Sequence, residues 1–404
     1  MALDTYIQDL LNKLTDYLVD AQDREVALEI KLETQKDSYE TQILAKNAEI
    51  VALKARIAEL EGTEPEEPEE PVPPQPTSGI WLSKAEIMAR PNSGAAWDRV
   101  LAQANSSWGS ANLGDNNAQH DQKVLAGAIV AVRNSDNAMR EKTIAGLKSA
   151  MVSPLTRTLE LSRGLQAYII AADIIGYTDS AFKAWVEKMV LYEFPKDDTH
   201  SGQRTILVTA RNLWNNWSMH ARSSVLAAGL YLGKQEWVDT VLEAHKRLIG
   251  LPSKITDPVI WAKNEWAAGT PLAGVNVKGA KIGSVNVSGV LHQDWLRGSY
   301  DFRWLPVVSG YMWEGIQGFV STAVMLHRAG LLPFNAGDDA VVRAFNMLYG
   351  LGEAAANNPK FVNPAAGDDI WTVWVVNKYG NQRYPTKTDE SPGKGIGYGE
   401  WAFA

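Results

Sequence analysis

Asn212, Asn216 and His220 follow one another at intervals of four in a stretch, Asn212 to about Leu232, that lacks proline and is rich in Ala and Leu. Such a stretch predicts one helix ending at Gly233, and the spacing puts two amides and an imidazole on one face. Leu213, Trp217, Ala221, Ser224 and Ala228 form a neighbouring, mostly apolar stripe that can seat the helix in a core. A helix so built either holds polar groups in a cleft or satisfies them internally. Further along, His292-Gln-Asp-Trp-Leu-Arg297-Gly-Ser-Tyr300-Asp-Phe-Arg303-Trp is crowded with polar and aromatic residues. It leads into a predicted helix, 307 to about 328, carrying Tyr311, Trp313, Glu314 and Gln317. Amides and guanidinium groups can stabilise a developing anion without reacting, and a phenol or imidazole can carry a proton. The six histidines stand far apart without a His-Glu-x-x-His pair and there is no cysteine, so neither a metal nor another cofactor is implied.

These groups need a scaffold, and the chain around them is patterned as helices. Ser83 with Glu86 three residues on is a capping-box pattern. Helical patterns then cover about 83–89, 94–106, 119–133, 137–151, 155–176, 180–191, 212–232, 235–249 and 338–356, separated by breakers such as Asn134-Ser-Asp, Ser153-Pro and Gly176-Tyr-Thr-Asp. Successive helices with short connections pack as antiparallel hairpins. Between Pro271 and His292, apolar and polar residues alternate around glycines, which predicts a small β-hairpin or glycine-rich loop. The tail from Pro359 is rich in Gly, Trp and Tyr and reads as irregular or β-like, lying beside a cleft or over the core.

Residues 1–62 differ in kind. Ile43, Ile50 and Ile57 recur every seven residues, and Leu53 and Leu60 follow the last two by three, a heptad seam with Ile at a and Leu at d. The earlier frame from Ile7 is out of phase, which predicts a stutter near residues 28–32. So narrow a seam needs partners, so this arm is expected to join identical chains as a parallel coiled coil. Ile at a with Leu at d leans towards a dimer, whereas the phage fibre stalks that the arm resembles are usually trimers. Residues 63–79, with Pro repeated between acidic spacers, predict an extended tether. The remaining domain spans 80–404.

A net charge of -8 argues against nucleic acid or an anionic membrane as a general partner. No apolar run approaches the roughly 20 residues of a membrane span, and no basic start precedes an apolar core at the N-terminus. The expectation is a soluble protein without an ordinary signal peptide, acting extracellularly or on a virion tail released by lysis. Fifteen Trp and thirteen Tyr suit a glycan partner, because sugar rings present apolar faces that stack on aromatic side chains.

Asn215-Asn216-Trp217, with His220 one turn later and Ala-Ala-Gly-Leu-Tyr-Leu after it, resembles the Asn-Asn-His helix of alginate-lyase-like polysaccharide lyases. Several chains of that group, including phage-borne ones, are similar in having Trp where the His stands. Leu161-Ser-Arg163-Gly-Leu-Gln-Ala-Tyr resembles an early helix lining the cleft in the same family. The resemblance covers about residues 80–404. It implies a mainly α fold, an incomplete α/α toroid of helical hairpins around a sugar-binding cleft. It also implies a catalytic Arg and Tyr, carried by an Arg-Gly segment and a tyrosine-bearing helix closed by an Arg-x-Gly turn. Counting back from Gly330 matches Tyr311; the order around Arg297-Gly298 matches Tyr300.

The chemistry so implied is β-elimination on a uronate glycan. The substrate carboxylate opposes loss of the C5 proton, so donors aimed at it are the largest need. Asn215 or Asn216 with Arg297 or Arg303 can supply them, and Trp217, Arg163 and Trp313 are further candidates for binding sugar. The base is a tyrosine, made more acidic than its usual value of about 10 by a nearby arginine, or His220. Two rivals use the same residues differently. A glycoside hydrolase would draw two carboxylates from Asp294, Asp301 and Glu314. A catalytically silent receptor-recognition tip would bind glycan by stacking and gain avidity from the arm. Expected partners are thus an acidic polysaccharide, further copies of this chain, and other phage tail proteins.

Overall fold

The computed structural model describes residues 79–195, 204–259, 266–297, 302–306, 310–354, 369–388 and 393–404. The expected coiled-coil arm, the tether up to residue 78, Tyr300 and Asp301 lie outside the described residues.

The described chain is mainly helical. α1 (Lys84–Ala89) opens as its sequence predicts: Ser83 Oγ accepts from Glu86 N at 3.1 Å while the Glu86 carboxylate accepts from Ser83 N at 2.7 Å. α2 (Ala95–Asn105), α3 (His120–Arg133), α4 (Asn137–Met151), α5 (Thr158–Ile174) and α6 (Ser180–Leu191) follow. Asp136 caps α4 and Asp179 caps α6, each accepting a backbone N–H from three residues on at 2.9 Å. Short connections fold these helices back and forth, and α3 and α4 run antiparallel, with Gly127 against Thr143 and Gly146 against Val124.

One helix from Asn212 to Leu232 was expected; two are present. α7 (Ile206–Asn212) ends at Leu213, and α8 (Asn216–Leu232) begins after an extended Asn215, whose Oδ1 accepts from Ser218 N at 3.2 Å. An asparagine satisfies the unpaired N–H groups of a helix start better than it serves an interior position. Asn212 is therefore off the face shared by Asn216 and His220. α8 ends at Gly233 as predicted, the glycine taking the left-handed conformation that closes helices. α9 (Gln235–Leu248) returns beside it. β1 (Lys281–Ile282) and β2 (Val285–Asn286) form the small antiparallel hairpin.

α10 (His292–Trp295) is a single turn, then come α11 (Gly310–Arg328) and α12 (Ala336–Ala354). The tail departs from the irregular or β-like expectation, because α13 (Ile370–Tyr379) and α14 (Gly399–Phe403) are helical. α13 is buried along most of its length, so its β-branched run packs into the core rather than pairing as a strand. Trp371 and Phe403 clamp Trp81 at centroid distances of 6.0 and 5.4 Å, joining the first described segment to the last. No described helix is long and apolar enough to cross a membrane.

α8 is the centre of the packing, flanked by α5 and α11, with α3 beyond α5. Glycines set the closest approach. A Cβ on Gly318 would fall 2.4 Å from His220 N, and one on Gly315 would fall 2.9 Å from Asp294 Oδ2. Gly315 thus meets Asn216, Gly318 meets His220, and Ser321 Oγ meets Ser223 Oγ at 2.8 Å. Both sets of numbers rise together, so α8 and α11 run parallel with their N-terminal ends on the same side.

Candidate functional site

The heads of α3, α5, α8 and α11 converge, and each brings polar side chains from its first or second turn. Glu314 on α11 is the node. Its Oε1 lies 3.0 Å from His220 Nε2 on α8 and pairs with Arg163 Nη2 on α5, while its Oε2 lies 3.8 Å from Lys394 Nζ on the tail. Burial alone would raise the Glu314 carboxyl; the hydrogen bond from His220 and the charges of Arg163 and Lys394 outweigh it and hold the acid at about 2. His220 is pushed below its ordinary value by burial, which exceeds the upward pull of Glu314, so the ring is neutral with its proton on Nε2.

Arg163, Asn215, Asn216, His220, Arg297 and Tyr311 lie at the converging ends. The Arg297 guanidinium, just past α10, stands 5.0 Å from the centre of the Tyr311 ring, and Tyr311 is 43% exposed at the start of α11. Asn216 is buried beside Gly315, and its Oδ1 has no partner among the described residues. Trp217 is buried too, with the Arg157 guanidinium 5.6 Å over its ring. Arg303 is exposed, and its carbonyl accepts from Trp295 Nε1 at 3.0 Å.

Two expected site residues are enclosed. His220 is fully enclosed, with its Nε2 3.0 Å from Glu314 Oε1. Trp313 is 1% exposed, packed edge-on against Phe345 and Tyr349, so its ring offers no face to a sugar. The indole turns inward because Trp313 lies on the opposite side of α11 from Tyr311.

Several contributors were not singled out by sequence as binding residues. Lys394 and its neighbours Gly393 and Gly395 line a small cleft together with Asp121, Glu160, Arg163 and Tyr168. The segment is tied down at both sides: Gln122 Nε2 donates to Gly395 O at 2.6 Å, and Lys394 N donates to Gln317 Oε1 at 3.0 Å. Asp121 is raised to about 7 by burial. Its position beside an apolar helix interior, at the head of α3, was the available sign. Among the described residues no group of three or more His, Asp or Glu is placed to hold a metal ion.

No family model matches the sequence, and no curated protein matches it.

Proposed function

We propose that this chain is a polysaccharide lyase that cleaves an acidic, uronate-containing glycan by β-elimination. One observation carries the reading: the exposed Tyr311 phenol stands beside the Arg297 guanidinium at the head of the helix that delivers Glu314 to His220 and Arg163. In its phenolate form Tyr311 takes the C5 proton, with the Arg297 guanidinium over its ring. The C5–H electron pair becomes the C4–C5 double bond, and the C4–O bond breaks with its electrons on the leaving oxygen, which takes the proton from the Tyr311 hydroxyl and returns the phenolate. The growing negative charge on the uronate carboxylate is met by the Asn216 side-chain NH2 and by the cations Arg163 and Lys394. His220 and Glu314 react with nothing; they fix α8 against α11 and so set the distance from Asn216 to Tyr311.

Elimination accounts for these side chains better than hydrolysis does. Glu314 is ionised and occupied on both oxygens, so it is no proton donor, and Asp294 is fully enclosed. The larger architecture we propose is an incomplete α/α toroid, for which the supporting features are the row of α3, α5, α8 and α11 with heads together and the returning α4 and α9. The heptad pattern of residues 1–62 supports display in several copies, as on a phage tail fibre.

The test is to incubate the full chain with a panel of acidic bacterial polysaccharides and follow the ultraviolet absorbance of the conjugated enoate. A rise with at least one uronate polymer is expected; chain shortening without it would mean hydrolysis.

A further inference from the structure

We propose that the exposed indole of Trp304 is a stacking subsite for one pyranose ring of the glycan, next to the pair formed by Tyr311 and Arg297. The proposal rests on the reading of the ligand as a glycan and adds a residue that holds a second sugar of the same chain.

Trp304 and Tyr311 are the two exposed aromatic residues among those described, at 45% and 43%. Residues of one short turn contact both. Trp295, the fully buried last residue of α10, lies nearly parallel to Trp304, with ring centroids 5.3 Å apart and planes inclined by 23°. Arg297, two residues on, stands 5.0 Å from the centre of the Tyr311 ring. Both exposed rings are therefore anchored within three consecutive residues.

Trp304 rests on a buried aromatic base. Phe302 also lies nearly parallel to Trp295, at 6.4 Å, and Trp266 meets Phe302 and Trp295 edge-on at 4.8 and 6.1 Å. Trp295 Nε1 donates to Arg303 O at 3.0 Å, which pins the chain between Phe302 and Trp304. A ring held in this way loses little freedom when a ligand lands on it. Because Trp295 covers one face of the indole, the exposed surface of Trp304 is the other face and the rim.

A pyranose matches that surface. Its C–H groups present a flat apolar face, while its hydroxyls stay in water around the ring edge. A patch one indole wide is far smaller than the roughly 800 Å² that a stable protein partner covers on each side, so a second copy of this chain fits it poorly. The nearby Arg297 guanidinium suits a glycan that carries carboxylates.

The experiment uses the full chain carrying Tyr311→Phe, so that the glycan is not consumed, with hexasaccharides of mannuronate, of galacturonate and of hyaluronan. Calorimetry is expected to show binding of at least one hexasaccharide, weakened about tenfold by Trp304→Ala. Trp304→Phe, which keeps a flat ring, is expected to recover most of that loss. Hydroxyl-radical footprinting needs no change at Trp304: the indole should be oxidised in the free protein and protected by the same hexasaccharide. Binding of none of the three, an affinity untouched by Trp304→Ala, equal losses in the Ala and Phe variants, or an indole left unprotected by sugar would each overturn the subsite. So would protection that grows with protein concentration in the absence of sugar, since a second copy would then occupy the ring. The footprint alone decides the matter should either variant fold poorly. Trp304-dependent binding by a protein whose unsubstituted chain forms no enoate keeps the subsite and removes the lyase reading. Enoate formation with Trp304 unprotected does the reverse.

Discussion

His220 Nε2 and Glu314 Oε1 lie 3.0 Å apart in the interface between α8 and α11, with the imidazole fully enclosed. The bond joins two helices whose backbones meet at glycines, so it fixes the position of everything at their heads. It also gives Arg163 an anion to face.

Removing the charge at this node exposes its structural share. Glu314→Gln leaves a buried guanidinium uncompensated and is expected to lower stability by about 3 kcal/mol. Urea denaturation followed by circular dichroism reads the loss, and a change below about 1 kcal/mol would mean that the node is not structural.

The same groups set how stability depends on pH. Glu314 has a folded value near 2 against an ordinary 4.5, so its stabilisation is complete above 4.5 and is lost as pH falls towards 2. His220 has a lowered folded value, so its neutral form favours the fold above 6.5, and that advantage shrinks as pH drops below 6.5. Asp121 acts in the opposite sense: raised from 3.8 to about 7, it lowers stability progressively as pH rises through that window. Asp121→Asn should therefore raise the melting temperature at neutral pH and leave it nearly unchanged near pH 3.8. Melting curves across pH measure both slopes, and an Asp121→Asn gain that is equal at all pH values would contradict the assignment.

Gly318→Ala forces a methyl to within 2.4 Å of His220 N. Backbone cannot yield as a side-chain tip does, so α11 must move away from α8, at a cost of about 1–3 kcal/mol. Thermal denaturation gives the cost. If the helices separate, the histidine side-chain NMR signals of His220 shift as well; unchanged signals with full stability would contradict the close contact.

Tyr311→Phe tests the chemistry with little structural disturbance. The phenol is 43% exposed, so stability should change by less than about 0.5 kcal/mol, while turnover on a uronate glycan falls roughly 10²- to 10⁴-fold. Arg297→Gln should share the loss of turnover. Steady-state rates and melting curves taken together separate this outcome from misfolding.

Much of the helical order is legible in the chain because capping residues are local signals: Ser83 with Glu86, Asp136, Asp179 and Gly233 each end or start a helix where the sequence places them. Asn215 was harder, because an asparagine pair beside an Ala-rich run reads equally as helix interior, and only the cap geometry separates α7 from α8. Periodicity placed Trp313 on a helix, but which side of α11 faces the core depends on Phe345 and Tyr349, which come from another helix. Lys394 reaches Glu314 across a sequence separation no local pattern spans, and the enclosure of His220 follows from Gly318 allowing α11 so close. Residue types at the site were readable; their depths were not.

The most direct measurement is the mass spectrum of oligosaccharides released from a uronate polysaccharide by the wild-type chain. Elimination predicts product pairs in which one new end is lighter by a water than the corresponding hydrolytic end, and these ends should disappear in Tyr311→Phe. Products carrying only hydrated ends, or unsaturated products formed equally by Tyr311→Phe, would contradict the lyase mechanism built on Tyr311 and Arg297.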